Sequence, residues 1–322
     1  MFTNAVRRLV QPLKAAGQCS MISDGSVLRQ TRMLFVKSGD EPRKMREFEF
    51  LELDSPSEYV VNVKLNRPKQ RNAINIQLWK DIGECFAFLS DEPSCRVVVL
   101  SANGRSFCAG LDFLAMGDLG SNMMDESKDV ARRGMAIRRL AEQYAQWFSN
   151  IEKCPKPVIA AIHGACVGVA ADFITACDIR YATTDSFFSI KEVDIGLAAD
   201  VGVLQRLPNI IHNEGLVREL VFTAREFGAT EALNIGLLTR TFLTREELIV
   251  SVMSLAKTIA EKSPIAVQGS KINLNYSRDH SVDEGLEFVR TWNMAHLQSE
   301  DLMKAAMAAV QREKKPPTFA KL

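Results

Sequence analysis

Three acidic residues carry the chemistry that this sequence is built to do. Asp172 stands in Val167-Gly168-Val169-Ala170-Ala171-Asp172-Phe173-Ile174, a run otherwise small and apolar. Glu192 stands in Ser189-Ile190-Lys191-Glu192-Val193-Asp194-Ile195-Gly196, just past a predicted strand, where loops commonly carry catalysis. Asp200 stands in Leu197-Ala198-Ala199-Asp200-Val201-Gly202. A carboxylate among apolar neighbours is costly to bury unless it is paired, hydrogen-bonded or protonated. Acids held in a dry site have raised or split proton affinities, which suits proton transfer near neutral pH. Each acid also has a plainer role open to it. Asp172 could end or cap a helix, Glu192 could be a solvated loop acid paired with Lys191, and Asp200 could be the N-cap of a helix starting near Val203. Asp178, just ahead of a strand, reads as structural.

Two loops offer amide donors. Phe107-Cys108-Ala109-Gly110-Leu111-Asp112 follows a predicted strand and turn, and His163-Gly164-Ala165-Cys166-Val167-Gly168-Val169 follows another strand and opens a helix. Small residues let a ligand approach the backbone, and N–H groups at a helix N-terminus favour negative charge. Together the loops could hold one oxygen as it becomes an enolate. Cys108 and Cys166 sit on these loops, but a cysteine nucleophile needs a histidine base and His163 is the only candidate. Each reads instead as a packed structural cysteine. The chain has no G-x-S-x-G elbow, no Walker loop and no G-x-G-x-x-G after Gly164, and none of its four histidines forms H-E-x-x-H, so zinc has little support.

The elements that must position these groups follow from periodicity. Alternation predicts a strand over Tyr59–Leu65, broken by Asn66-Arg67-Pro68-Lys69. Ile76, Trp79, Ile82, Phe86 and Leu89 have helical spacing. The continuous apolar runs 97–100 and 158–162 suit strands buried on both faces. A long helix is predicted over 125–152, with Leu140, Tyr144, Trp147, Phe148 and Ile151 on one side. A small-residue helix is predicted to run to Cys177, with short strands at 179–182 and 187–190. From Arg245 onward the pattern is helical only, near 245–262, 265–276, 283–298 and 300–313. This order gives an α/β body with a helical C-terminal part. No fixed sequence period is present, so any repeat rests on element order alone.

A composition of 47% hydrophobic and 25% charged residues fits a soluble globular enzyme, and a net charge of +1 gives no pull toward nucleic acid or an anionic membrane. No run of 18 apolar residues occurs, so no transmembrane helix is expected. Seven scattered cysteines without a C-x-x-C pair point to a reducing compartment. Residues 1–38 hold Arg7, Arg8, Lys14, Arg29, Arg32 and Lys37 against one acid, Asp24, with Leu9 and Leu13 on a possible apolar face. That reads as a mitochondrial-type transit peptide, or else a disordered basic tail. The chain ends in Ala320-Lys321-Leu322, one residue from the peroxisomal S-K-L signal.

Asn66-Arg67-Pro68 with Arg71-Asn72-Ala73-Ile74-Asn75, Ser106 to Asp112, Pro155 to Gly164 and Ala176-Cys177-Asp178-Ile179-Arg180 together resemble the enoyl-CoA hydratase/isomerase (crotonase) superfamily, over roughly 55–315. The resemblance implies an α/β fold, a crotonase-like spiral of ββα units with a C-terminal helical trimerisation domain. It divides the chain into a targeting and linker segment at 1–45, a spiral core at 46–244 and a helical domain at 245–322. It also implies a homohexamer of two trimers.

Lys191 to Gly202, with Ser270-Lys271-Ile272-Asn273-Leu274, Tyr276 to Val282 and Trp292-Asn293-Met294, resembles the branch that moves conjugated double bonds. The resemblance then implies isomerisation of 3,5-dienoyl-CoA to 2,4-dienoyl-CoA in fatty acid β-oxidation, in mitochondrion and/or peroxisome. It assigns catalysis to Asp172, Glu192 and Asp200, with Glu192 at C2 and Asp200 at C6 or the reverse, and Asp172 tuning the pair. Oxyanion amides fall on Leu111 and Val169. Substrate lies along Leu111, Asp112, Phe113, Leu114 and Ala115, with CoA near Gln70, Arg71, Asn72 and Ala73. No cofactor is implied beyond the CoA of the acyl-CoA substrate, and no nucleic acid or membrane partner. Two alternatives stand beside this. Hydratases carry glutamates at the positions of Asp172 and Glu192 and lack an acid at Asp200, and some RNA-binding relatives keep the fold without catalysis. Near-neutral charge and the intact acid triplet argue against the second. Relatives also show a run of glycines where this chain has Gly168-Val169-Ala170-Ala171, so a narrowed acyl channel or a shifted amide donor is expected.

Overall fold

Runs of β-branched residues and short apolar segments build two sheets. The computed structural model describes residues 45–113, 127–313 and 315–322. The leader read in 1–38 and the site positions Leu114 and Ala115 therefore lie outside the described residues. Among those described, the strands are β1 (Leu51–Ser57), β2 (Val60–Leu65), β3 (Val97–Ala102), β4 (Val158–Ile162), β5 (Ala165–Val167), β6 (Ile179–Thr183), β7 (Phe187–Ser189), β8 (Phe227–Gly228) and β9 (Arg240–Phe242). The helices are α1 (Ile76–Asp91), α2 (Val130–Lys153), α3 (Val169–Thr175), α4 (Val203–Ile210), α5 (Glu214–Thr223), α6 (Ala229–Asn234), α7 (Arg245–Ala260), α8 (Pro264–Ser277), α9 (Val282–His296) and α10 (Glu300–Gln311).

The larger sheet has the order β1-β2-β3-β4-β6-β9, parallel except for the β1–β2 hairpin, and the smaller has the order β5-β7-β8. Every residue of β3 and β4 is buried, as a parallel sheet covered on both faces requires. Val61, Val63, Leu65, Val98, Leu100, Ala160 and Ile162 join the core that includes Ile82 and Phe86 of α1 and Phe148 of α2. Val60, Val97, Val99, Ile159 and Ala161 pack instead with Leu248, Val252 and Ala256 of α7. Gly83 lets α1 and α2 close, since a Cβ there would lie 2.4 Å from Trp147. Trp79 stacks on Tyr144 and Phe148 across the same seam, at 4.6 and 4.9 Å between centroids.

The order strand, strand, helix recurs as β1-β2-α1, β4-β5-α3 and β6-β7-α4, the ββα spiral that the motifs implied. β4 and β6 join the larger sheet while β5 and β7 join the smaller. The chain thus crosses between sheets at His163-Gly164 and again after β6, which delivers the start of α3 and the end of β7 to one place. Ala165–Val167 was expected to lead straight into a helix and is a strand, three residues being too short to show a period. The helical C-terminal part is as expected, and α8 to α10 leave Leu274, Val282, Met294, Met303 and Val310 at 63–79% exposure. Past α10, Arg96 pins the chain end: its Nη2 donates to Phe319 O at 2.8 Å and Ala320 O at 3.2 Å.

Candidate active site

Glycines bring the two amide loops together. β5 enters α3 through Gly168, at φ 55° and ψ −126°, a backbone state closed to L side chains. Gly168 N–H donates to Ser189 O at 2.8 Å, which holds the end of β7 beside the start of α3. No side chain caps α3, so the N–H groups of its first turn, Val169 included, have no capping acceptor, and Val169 lines the cavity. On the facing loop, Ile74 N–H donates to Gly110 O at 2.8 Å and Asp112 N–H to Ile74 O at 2.9 Å. In a parallel bridge of this kind the residue between, Leu111, turns its own N–H away from Ile74. Gly110, at φ 102°, passes so close to β5 that a Cβ would meet Val167 O at 3.2 Å. Cys108 N–H to Ala165 O at 2.9 Å and Val167 N–H to Cys108 O at 3.2 Å stitch the loops side by side.

Leu111, Val169, Trp79 and all three acids line one cavity of about 130 Å³. Asp172 is fully buried. Its Oδ1 accepts from Val203 N–H at 2.6 Å, and its Oδ2 has no partner among the described residues. Burial, then the charge of Glu192, pushes its proton affinity well above the usual carboxylate range, against the pull of Val203 N–H and Arg206. Glu192 is 9% exposed, with Oε2 buried and unpartnered among the described residues. Burial raises its proton affinity first, and Asp200 adds to the rise. The position of a Cβ on Gly168 would be 3.5 Å from Glu192 Oε1, so acid and amide donor are neighbours. Asp200 departs from the dry setting its neighbours suggested. Ala199 and Val201 turn inward and are buried, while Asp200 between them sits exposed at the mouth, its affinity still raised by partial desolvation. Ile195 and Leu197 form an apolar rim there, 50% and 41% exposed.

The plainer roles resolve on geometry. Lys191 pairs with Asp194 at 2.9 Å, leaving Glu192 to the cavity. The N-cap of α4 is Gly202, with no side-chain cap, so Asp200 caps nothing. Capping does occur, but from Asp172 across the fold onto the first turn of α4, which no local pattern could reveal. Asp178 is structural as read, accepting from Val158 N–H and Lys271 Nζ, each at 2.7 Å. Cys108 and Cys166 are buried free thiols, the former pushed up to about 12 by desolvation. His163 Nε2 meets Gly104 O at 3.0 Å rather than either sulfur. Asp112 is tied to Arg67 at 2.9 Å, and Phe113 is 60% exposed. In the expected CoA stretch, Gln70 and Arg71 are exposed, whereas Asn72 is buried. Asn72 Nδ2 donates to Asn103 O and Ser106 O, and its Oδ1 accepts from Arg67 N–H.

Sequence reasoning passed over Arg206. Its signal was legible: Val203, Arg206 and Leu207 share one helical face, so an arginine falls at a core position. Size alone does not find this site. A larger hollow of about 830 Å³ lies among α8, α9 and α10, but its one acid, Asp301, already accepts from Ser263 Oγ at 2.6 Å. Among the described residues no three His, Cys, Asp or Glu side chains converge as a metal site needs.

The enoyl-CoA hydratase/isomerase family profile matches residues 56–321. A mitochondrial Δ(3,5)-Δ(2,4)-dienoyl-CoA isomerase of Mus musculus is 46% identical over 316 residues, 98% of this chain and 96% of the relative. A peroxisomal Δ(3,5)-Δ(2,4)-dienoyl-CoA isomerase of Arabidopsis thaliana is 42% identical over 263 residues, 82% and 93% of the two chains. In solved structures, an enoyl-CoA hydratase from Bacillus anthracis superposes with a TM-score of 0.74 at 26% identity, over 84% of this chain and 99% of that one.

Proposed function

The chain belongs to the enoyl-CoA hydratase/isomerase family, and we propose that within it the protein isomerises a 3,5-dienoyl-CoA to the 2,4-dienoyl-CoA. One observation carries this reading: Asp172, Glu192 and Asp200 line a single cavity together with Leu111 and Val169, the residues at the ends of the two amide loops. The amides of Leu111 and Val169 hold the thioester oxygen, a type of donor worth about 100- to 1000-fold each. Glu192 takes a proton from C2, and the charge spreads along the conjugated chain. Asp200 returns a proton at C6, so that C3=C4 and C5=C6 become C2=C3 and C4=C5. C2 and C6 are too far apart for one fixed carboxylate, and the inner and rim positions of Glu192 and Asp200 suit the two ends. Raised proton affinities help both roles: Glu192 retains the proton it takes, and Asp200 keeps a protonated share to give. Solvent at the exposed rim resets the pair. Asp172 orients and tunes the acids. The chemistry draws on these side chains and amides with no cofactor beyond the substrate's own CoA, which lies along Gln70, Arg71 and the loop from Leu111 through Asp112 and Phe113.

The exposed apolar faces of α8 to α10 support a trimer contact between copies, two trimers making a hexamer. In this division 46–244 is the body and 245–322 the helical part, with α7 returning to cover the sheet. The mitochondrial and peroxisomal names of the two relatives, with a basic leader and an exposed Ala320-Lys321-Leu322 here, support import into either organelle. The test is ultraviolet absorbance on 3,5-dienoyl-CoA beside hydration of crotonyl-CoA. Isomerisation is expected to dominate, and hydration without isomerisation would overturn the reading.

A further inference from the structure

Arg206 is 8% exposed, between Val203 and Leu207, which are buried at 0% and 2%. A buried guanidinium is costly unless its donors are met. Its partners lie on one side only. Nε and Nη2 donate to Glu152 Oε2 at 3.1 and 3.0 Å, and Nη2 also to Ser149 Oγ at 3.1 Å, both residues on α2. Glu152 is shared with Arg278 of α8. Burial opposes its ionised form, but the two guanidiniums outweigh that and hold its carboxyl below the usual range.

The remaining nitrogen, Nη1, is buried with no partner among the described residues. It lies against the backbone of Gly202, where a Cβ would come within 1.8 Å of it. The next amide along the chain, Val203 N–H, is the one that donates to Asp172 Oδ1 at 2.6 Å. Asp172 Oδ2 is also buried and unpartnered among the described residues. An unmet guanidinium nitrogen and an unmet carboxylate oxygen thus neighbour the same turn of backbone, Asp172 on the cavity side and Arg206 outside the cavity lining. Gly202 sits at φ 133°, a backbone state L side chains rarely adopt, and a Cβ there would also fall on Arg206 Nη1.

We propose that Arg206 is a positioning residue for the acid site: anchored from behind by Glu152 and Ser149, its guanidinium backs the Gly202–Val203 turn whose amide holds Asp172, and supplies the positive charge that lets three acids share one cavity. The inference rests on the isomerase reading above. Arg206 does not line the cavity, so it acts through Asp172 rather than on substrate. The groups facing Asp172 are Glu192 from the turn after β7, Asp200 from the rim, Arg206 from α4 and, behind it, Glu152 from α2. Lys191, the other cation near the cavity, is exposed and paired with Asp194.

The test is the pH dependence of kcat and KM for 3,5-dienoyl-CoA in wild type, Arg206→Met, Arg206→Lys and Glu152→Gln, with melting temperatures measured alongside. Arg206→Met should lower kcat about 100-fold, the scale of a small misplacement of catalytic groups, with KM unchanged within about twofold. Loss of a cation raises nearby carboxyl affinities, so the acidic limb of its kcat profile should move to higher pH. Arg206→Lys should recover part of the rate. Glu152→Gln removes an anion and should move the same limb to lower pH. A structural role alone predicts no such opposite pair. Limbs that stay in place, or move together, in variants with altered melting temperature would overturn the inference. Should Arg206→Met not fold, the lysine and Glu152→Gln profiles decide alone. A wild type without isomerase activity would sink the functional reading instead, which keeps the two failures distinct.

Discussion

Two corners of this molecule bury charge, and they treat it oppositely. Where α8 meets the sheet, Lys271 Nζ donates to Asp178 Oδ2 at 2.7 Å and to Lys156 O at 3.1 Å. Lys156 Nζ donates to Leu89 O and Ser90 O, and Asp178 takes Val158 N–H as well. None of these groups has a buried side-chain atom left unmet. Where α3 meets α4, Asp172 Oδ2, Glu192 Oε2 and Arg206 Nη1 are all buried without partners among the described residues. A satisfied cluster rigidifies a fold, whereas unmet acids lining a cavity store a cost that substrate contacts can repay. The contrast adds to burial in sorting the acids of this chain by role, since Asp172 is fully buried while Asp178 keeps 26% of its side chain exposed.

The contrast breaks most visibly at Glu192. Glu192→Gln should lower kcat for dienoyl isomerisation about 10³-fold, within the range for a lost general base. It should leave the melting temperature equal or higher, because an amide is cheaper to bury than a carboxylate. Asp200→Asn should cost less, about 10²-fold, since a rim acid can be replaced in part by solvent. Steady-state rates by ultraviolet absorbance with matched thermal melts check both, and full rate in both variants would end the assignment of roles.

How far such roles could be read beforehand varies by residue. β2, β3, β4 and β6 of the larger sheet and the helices from Arg245 onward follow from apolar runs and 3.6-residue spacing, because both are periodic over enough residues, whereas β1, with only Leu51 and Leu53 apolar, was not expected. β5 and β8 are too short to carry a period, and β9 is only three residues long. The acids announced themselves by being charged in apolar runs. What was hidden is pairing through space: Asp172 capping α4, Lys191 choosing Asp194, and Asp200 turning to the rim because Ala199 and Val201 turn in. Arg206 was half-visible, since its place on the core face of α4 is local but its anchor, Glu152, lies on α2, far away in sequence.

At the satisfied corner the prediction reverses. Lys271→Met removes the ammonium from Asp178 and leaves that carboxylate, 26% exposed in its side chain, short of its counter-charge. Breaking a buried pair by removing one partner costs about 3–5 kcal/mol, and the partial exposure of Asp178 places this case at the lower end, about 3 kcal/mol. Denaturant melts should show that loss, while kcat of the folded fraction stays within about twofold of wild type. A large fall in kcat with unchanged stability would mean that the two corners are not separable.

The smallest effect tests the same contrast through protons. Burial raises the folded-state proton affinities of Asp172 and Glu192 above their unfolded values. A carboxyl raised in this way keeps its proton more tightly when folded, so its contribution is fully present at low pH. That contribution is lost as pH rises from the unfolded carboxylate value, about 4, through the higher folded one. Wild type should therefore lose stability over that interval relative to Glu192→Gln, whose amide does not titrate. The gap between their melting temperatures should widen by about 1–2 °C from pH 4.5 to pH 8, in favour of the variant. Asp178→Asn instead gives up the contact with Lys271 Nζ and should lower stability. A constant offset between Glu192→Gln and wild type would mean that Glu192 is not held against its ionised form, and that its unmet oxygen is no store for catalysis.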